Sequence, residues 1–202
     1  MSKASKADKQ SVQRIRQAAK TRRMLGKWTI AGLVIVAGIV VVVGVGAILT
    51  TQQSADISGV QFYQNLSNAH TTASITYTPI PPVGGEHNPE WLNCGIYDQP
   101  VPNENAVHSL EHGAIWITYQ PTLPQTAIDQ WRQLVRGHSY VILSPYPNIP
   151  SPVIASGWGL QLLLTGADDP RLPGFIAKYE RGPQTPEPGA PCIGGTGTPL
   201  QQ

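Results

Sequence analysis

Hydrophobic and polar positions divide the chain into two unequal parts. Residues 29–49, TIAGLVIVAGIVVVVGVGAIL, contain no charged side chain and no polar period. At about 1.5 Å of rise per residue, about 20 such residues cross a hydrocarbon core of about 30 Å as a helix. Gly32, Gly38, Gly44 and Gly46 would weaken a helix in water, but in lipid the backbone has no water to bond instead. The run exceeds the roughly 7–15 apolar residues of a cleavable signal segment. The pattern predicts a retained membrane helix over 28–50.

Beyond it the apolar runs are short. Residues 51–69 read as a tether with a short helical or irregular lead-in, and the following stretch is kept irregular by Pro79, Pro81, Pro82 and Gly84–Gly85. AVHSLEHG reads as a short helix, with Asn103 or Asn105 as its cap and Gly113 as its stop. AIWITYQP is apolar on both faces and predicts a central, well-covered strand. In PQTAIDQWRQLVRG, the side chains of Ile128, Trp131, Leu134 and Val135 recur on one helical face. YVILSPYP and VIASGWGLQLLLT read as two further strands, and DPRLPGFIAKYERG as a last helix capped by Asp168 or Asp169. The order predicts a single small α+β domain over 70–185. A short mixed or antiparallel sheet carries helices on one face, and a Gly/Pro-rich tail follows at 186–202.

Charge orients this arrangement. Residues 1–27 hold nine of the 14 Lys/Arg and, in Asp8, one of the 12 acids. The net charge of +2 therefore conceals a basic tail and an acidic body. A basic flank stays cytoplasmic, which predicts a single-pass plasma-membrane protein with its folded body extracytoplasmic. The partners expected are the lipid bilayer and an envelope protein complex; the basic tail is read as a topology signal touching anionic headgroups, not as a nucleic-acid site.

An oxidising compartment permits a disulfide between the two cysteines, Cys94 and Cys192. Closing so long a loop contributes up to roughly 4–5 kcal/mol in the chain-entropy model. It is preferred to two free thiols or two thiolate ligands, and it would pin the tail to the body.

Candidate chemistry concentrates in NENAVHSLEHGAIWITY, residues 103–119. On a helix, His108 and His112 lie on one face and Glu111 on a neighbouring azimuth. The order H-S-L-E-H differs from the H-E-x-x-H zinc motif, so no protease is inferred. A third ligand must come from elsewhere, and His87 on the Gly-rich loop is the best candidate. His87, His108, His112 and Glu111 would suit zinc or copper as Zn²⁺ or Cu²⁺. Cu⁺ is less natural, because Met1 and Met24 both precede the membrane run. The alternatives are a polar network tying the loop to the sheet and catalysis without a metal. Ser109 adjoins His108 but faces away from it on a helix, and no G-x-S-x-G elbow or phosphate-cradling loop is present. His138 reads as a surface residue, and His70 as a weaker candidate still.

The combination of His87, Gly95 and Tyr97 with Val107, His108, Ser109, Leu110, Glu111, His112 and Gly113 resembles a bacterial family without an assigned activity, DUF3105, over about 70–195. LPGFIAKYERGPQTPEPGAPC is similar to actinobacterial members of that group. The resemblance implies an architecture and a candidate site, and no reaction. Three functions are therefore carried forward: a membrane-anchored binding or accessory domain with a His-rich metal site, a metal-dependent envelope hydrolase with Glu111 as general base, and a structural subunit or scaffold of an envelope complex.

A reporter fused after Gln202 should be active only outside the cytoplasm; activity of a cytoplasmic reporter there would overturn the topology.

Overall fold

The computed structural model describes residues 56–166 and 168–202. The basic tail and membrane helix expected at 1–27 and 28–50 lie outside the described residues. In chain order the elements are β1 (Val60–Phe62), β2 (Gly95–Ile96), α1 (Asn103–Glu111), β3 (Ile115–Tyr119), α2 (Gln125–Val135), β4 (Val141–Pro145), β5 (Val153–Gly157), β6 (Leu160–Leu164) and α3 (Arg171–Tyr179). Among the described residues no helix is long and apolar enough to cross a membrane.

β3 is buried at all five positions because it is central. The sheet order is β1-β6-β5-β3-β4-β2. β3 pairs parallel with β4 and antiparallel with β5, and β2 adds a parallel edge beside β4. A parallel pair needs a crossover, and α2 supplies it. The sheet is therefore mixed and the domain α+β. VIASGWGLQLLLT, expected as one strand, is the β5–β6 hairpin. Gly157 pairs with Leu160 across Trp158 and Gly159, and Gly159 takes φ +71°, a value that glycine adopts without a Cβ clash. The lead-in expected to be helical or irregular contributes β1, paired to β6.

Both faces of the sheet are covered, where helices on one face were expected. Alternation along β3 sends Ile115, Ile117 and Tyr119 to one side, against Ile128, Trp131 and Val135 of α2 and Leu172, Phe175 and Ile176 of α3. Trp116 and Ile142 point to the other side, against Ala106, Val107 and Leu110 of α1, with Leu92, Tyr97 and the two cysteines. This second face is partly polar: Trp116 Nε1 donates to Ser144 Oγ at 2.9 Å and Gln161 Nε2 donates to Ser156 Oγ at 3.1 Å. An irregular loop lies here, and the sheet meets part of its backbone demand through Gln161 Nε2, which donates to Pro81 O at 3.0 Å.

The Cys94–Cys192 disulfide is formed and spans 98 residues of sequence. It holds the tail along the loop, where Cys94 N donates to Cys192 O at 2.7 Å and Thr196 N to Trp91 O at 2.9 Å. Leu200 N then reaches Ile96 O at 2.7 Å, so the Gly/Pro-rich tail packs on the domain through to its last residues. The N-cap of α3 is Pro170, without a side-chain cap, where Asp168 or Asp169 was expected; Asp169 stands one residue earlier, and its carboxylate accepts from Arg171 N at 3.1 Å and from the guanidinium. That Arg171 contact holds the Asp169 carboxyl well below its ordinary range.

Gly113 ends the α1 turn with φ +103°. A Cβ there would stand 2.7 Å from Arg181 Cα, a backbone atom that cannot swing aside. Gly113→Ala should therefore cost at least about 1–3 kcal/mol. Thermal unfolding checks this, and an unchanged Tm would show that the close approach is not maintained in solution.

Candidate metal centre

α1 starts after Pro102 without a side-chain cap, contrary to the Asn103 or Asn105 expectation. Asn105 is spent elsewhere, donating through Nδ2 to Glu90 O at 2.6 Å. Ser109 Oγ likewise donates to Leu92 O at 2.6 Å. These bonds fasten the incoming loop to the helix, and they give Ser109 a bracing role. With Val107 and Leu110 directed to the sheet, helical periodicity aims His108 and Glu111 at the loop.

Four side chains converge there. His70, His87, His108 and Glu111 each offer a ligand atom, and these atoms lie within 4.8 Å of one another. Glu111 Oε2 is the focus, 3.0 Å from His87 Nε2, 3.7 Å from His70 Nε2 and 4.0 Å from His108 Nε2. The carboxylate and the rings of His87 and His108 are buried, whereas the His70 side chain is 47% exposed. Trp158, at the tip of the β5–β6 hairpin, stands edge-on to His87, and Trp91 lies against His108.

Backbone carbonyls set the tautomers. His87 Nδ1–H donates to Gly85 O at 2.8 Å, and His108 Nδ1–H donates to Asn88 O at 2.7 Å. A carbonyl only accepts, so in the neutral rings Nε2 carries a lone pair and no proton. That lone pair is directed at a carboxylate oxygen, another acceptor. Two acceptors facing each other at 3.0 Å need a cation between them, either a proton or a metal ion. The same Nδ1–H···O=C bond commonly orients metal-ligating histidines. The cluster could hold a metal ion with three nitrogens and one oxygen.

Of the residues expected from the sequence, His87, His108 and Glu111 meet in this cluster. His112 touches it only through its ring, whose centroid is 4.5 Å from that of His108. Its Nδ1–H donates to Pro191 O at 2.6 Å, and its Nε2 faces Glu187. His70 takes the remaining place. Spacing along the chain carried no sign of it, since it lies 17 residues before His87. Backbone pairing brings the two together: His87 N donates to Ala69 O at 3.1 Å and Thr71 N to His87 O at 2.7 Å. His138 is partly exposed and pairs with Glu180 at 2.8 Å, away from the cluster.

A family model matches residues 68–194. The chain belongs to the family described as protein of unknown function (DUF3105). The DUF3105 match spans both cysteines and all four convergent side chains, so the candidate centre lies wholly within the family's domain. No curated protein and no solved structure matches the chain.

Burial lowers the His108 pKa from 6.5 to about 4; the bond to the Asn88 carbonyl opposes this, and His112, His87 and His70 add to it. The unfolded chain takes up this proton near pH 6.5 and the folded chain only near 4. Between those values the unfolded state binds more protons, so stability falls as pH is lowered, by up to about tenfold in the folded-to-unfolded ratio per pH unit. Metal-free protein should show Tm falling from pH 6.5 to 4, with a shallower fall in His108→Asn. An identical slope in the variant would remove His108 as the cause.

Proposed function

We propose that this chain is a membrane-anchored extracytoplasmic accessory domain that holds a divalent transition-metal ion through His70, His87, His108 and Glu111. One observation carries the reading: with its Nδ1–H spent on Gly85 O, His87 turns Nε2 to the buried Glu111 carboxylate at 3.0 Å, a contact that needs a shared proton or a metal ion, and two further imidazoles converge on the same oxygen. Leaving buried acceptors without a partner costs about 1–3 kcal/mol each, more for a charged group. A bound cation removes that cost for His87, His108 and Glu111 at once, and the half-exposed His70 supplies a fourth donor.

The donor set points to the ion's class. Three imidazoles and one carboxylate suit Zn²⁺ or Cu²⁺. Bonds of about 2.0–2.1 Å place ligand atoms roughly 3–4 Å apart. The separations from Glu111 Oε2, 3.0–4.0 Å, already lie in that range. Four protein ligands make a closed shell, which favours holding an ion over turning over a substrate. Glu111, at the focus of the set, is committed as a ligand and is not free to act as a general base.

The hydrolase reading stands second because of His70. Its exposure gives the cluster a solvent-facing side, where a water could replace its imidazole.

Competition titration of the full chain in detergent with Zn²⁺ tests the proposal. One tightly held ion is expected. His87→Ala and Glu111→Gln should weaken it beyond the roughly 10–100-fold typical of losing an outer hydrogen-bond partner. His70→Ala separates the readings, since a closed four-ligand shell loses affinity and an open three-ligand one does not. No uptake against a weak chelator, or equal uptake by all variants, would leave a hydrogen-bond network as the role of these residues.

A further inference from the structure

His112 is held by the same device as the inner histidines and faces a different carboxylate. Its Nδ1–H donates to Pro191 O at 2.6 Å, so its neutral ring carries a bare Nε2. The side chain is 4% exposed, and among the described residues no hydrogen bond reaches that nitrogen. The atom it faces, Glu187 Oε2 at 3.7 Å, is again an acceptor.

We propose that His112 Nε2 and Glu187 Oε2 form a second, outer cation site, taking a divalent ion of the same nitrogen- and oxygen-preferring class. Two bonds of about 2.0–2.2 Å to one ion span the 3.7 Å separation at an angle of roughly 120–135°, and a few tenths of an ångström of movement by the exposed Glu187 side chain would close it to tetrahedral. The Glu187 side chain is 58% exposed, so water completes the coordination and the ion exchanges readily. Two protein ligands bind more weakly than four.

The backbone holds the pair in place independently of any ion. Glu187 N donates to Glu111 O at 3.1 Å, and Gly189 N donates to His112 O at 2.9 Å. The tail segment that presents Glu187 is thus attached to the end of α1, beside the inner cluster. The disulfide at Cys192 fixes Pro191, whose carbonyl sets the His112 tautomer. The rings of His108 and His112 are in edge contact at 4.5 Å, and Trp91 lies against both. With metal–nitrogen bonds of about 2.0–2.1 Å, ions on the two Nε2 atoms would be no more than about 11 Å apart.

Cu²⁺ titration of the full chain in detergent, read by stoichiometry and by electron paramagnetic resonance, tests this. The wild type should bind a tight ion and then a weaker one, whose arrival broadens the signal of the first by dipolar coupling. His112→Ala and Glu187→Gln should keep the tight ion and lose both the weaker one and the broadening. Glu187 is exposed, so its variant reports even if His112→Ala fails to fold. One ion, lost in His87→Ala and unaffected by Glu187→Gln, would overturn the outer site and leave the inner one standing. One ion, lost in Glu187→Gln and retained in His87→Ala, would do the reverse. A wild type that binds none overturns both.

Discussion

The irregular segment leading from β1 to β2 lies against the partly polar face of the sheet, and its backbone has no regular ladder of its own. Each buried carbonyl and amide must find a partner or impose a cost. Helix α1 and the tail meet that demand with side chains and with backbone. Asn105, Ser109, His87 and His108 all hydrogen-bond to loop carbonyls at 2.6–2.8 Å. Most of what distinguishes this half of the domain from a plain three-layer arrangement follows from that requirement.

The same bonds that satisfy the loop determine the state of the histidines. An imidazole that gives its Nδ1 proton to a carbonyl must present a bare Nε2 on its far side. His87, His108 and His112 each do this. Structural and metal-binding roles are therefore not competing explanations of these residues. The hydrogen bonds that hold the loop also aim lone pairs at Glu111 and Glu187, and an acceptor facing an acceptor calls for a cation.

The disulfide acts on the same region from the tail. By joining Cys94 to Cys192 it fixes a segment of low apolar content that could not hold its place by burial alone. That segment contributes the Pro191 carbonyl and Glu187, and it is bonded to the end of α1 at Glu111 O and His112 O. Its structural contribution and its contribution to the candidate sites draw on that covalent bond together with backbone hydrogen bonds to Trp91, Ile96, Glu111 and His112.

Local pattern was sufficient for β3, β4, α2 and α3, because an apolar period or run on a segment long enough to be covered leaves few alternatives. It was sufficient too for α1 with its i, i+3 and i, i+4 acid and histidines, and for Cys94 with Cys192 as a pair. It was insufficient for β1, β2 and the β5–β6 turn: two or three residues hold no period, and Gly159 turns the chain inside an apolar run. The composition of the centre was legible only in part. His87, His108 and Glu111 could be named from helical spacing and from a glycine-rich loop, but His70 is positioned by hydrogen bonds between two irregular segments, which leave no spacing to read. His112 satisfies the helical rule as well as Glu111 does, yet it is directed to the tail, because Pro191 O captures its Nδ1 proton. The sequence by itself determined which residues could ligate; the tertiary structure alone decided which of them share a centre, since backbone carbonyls distant in sequence set both the aim and the protonation of each ring.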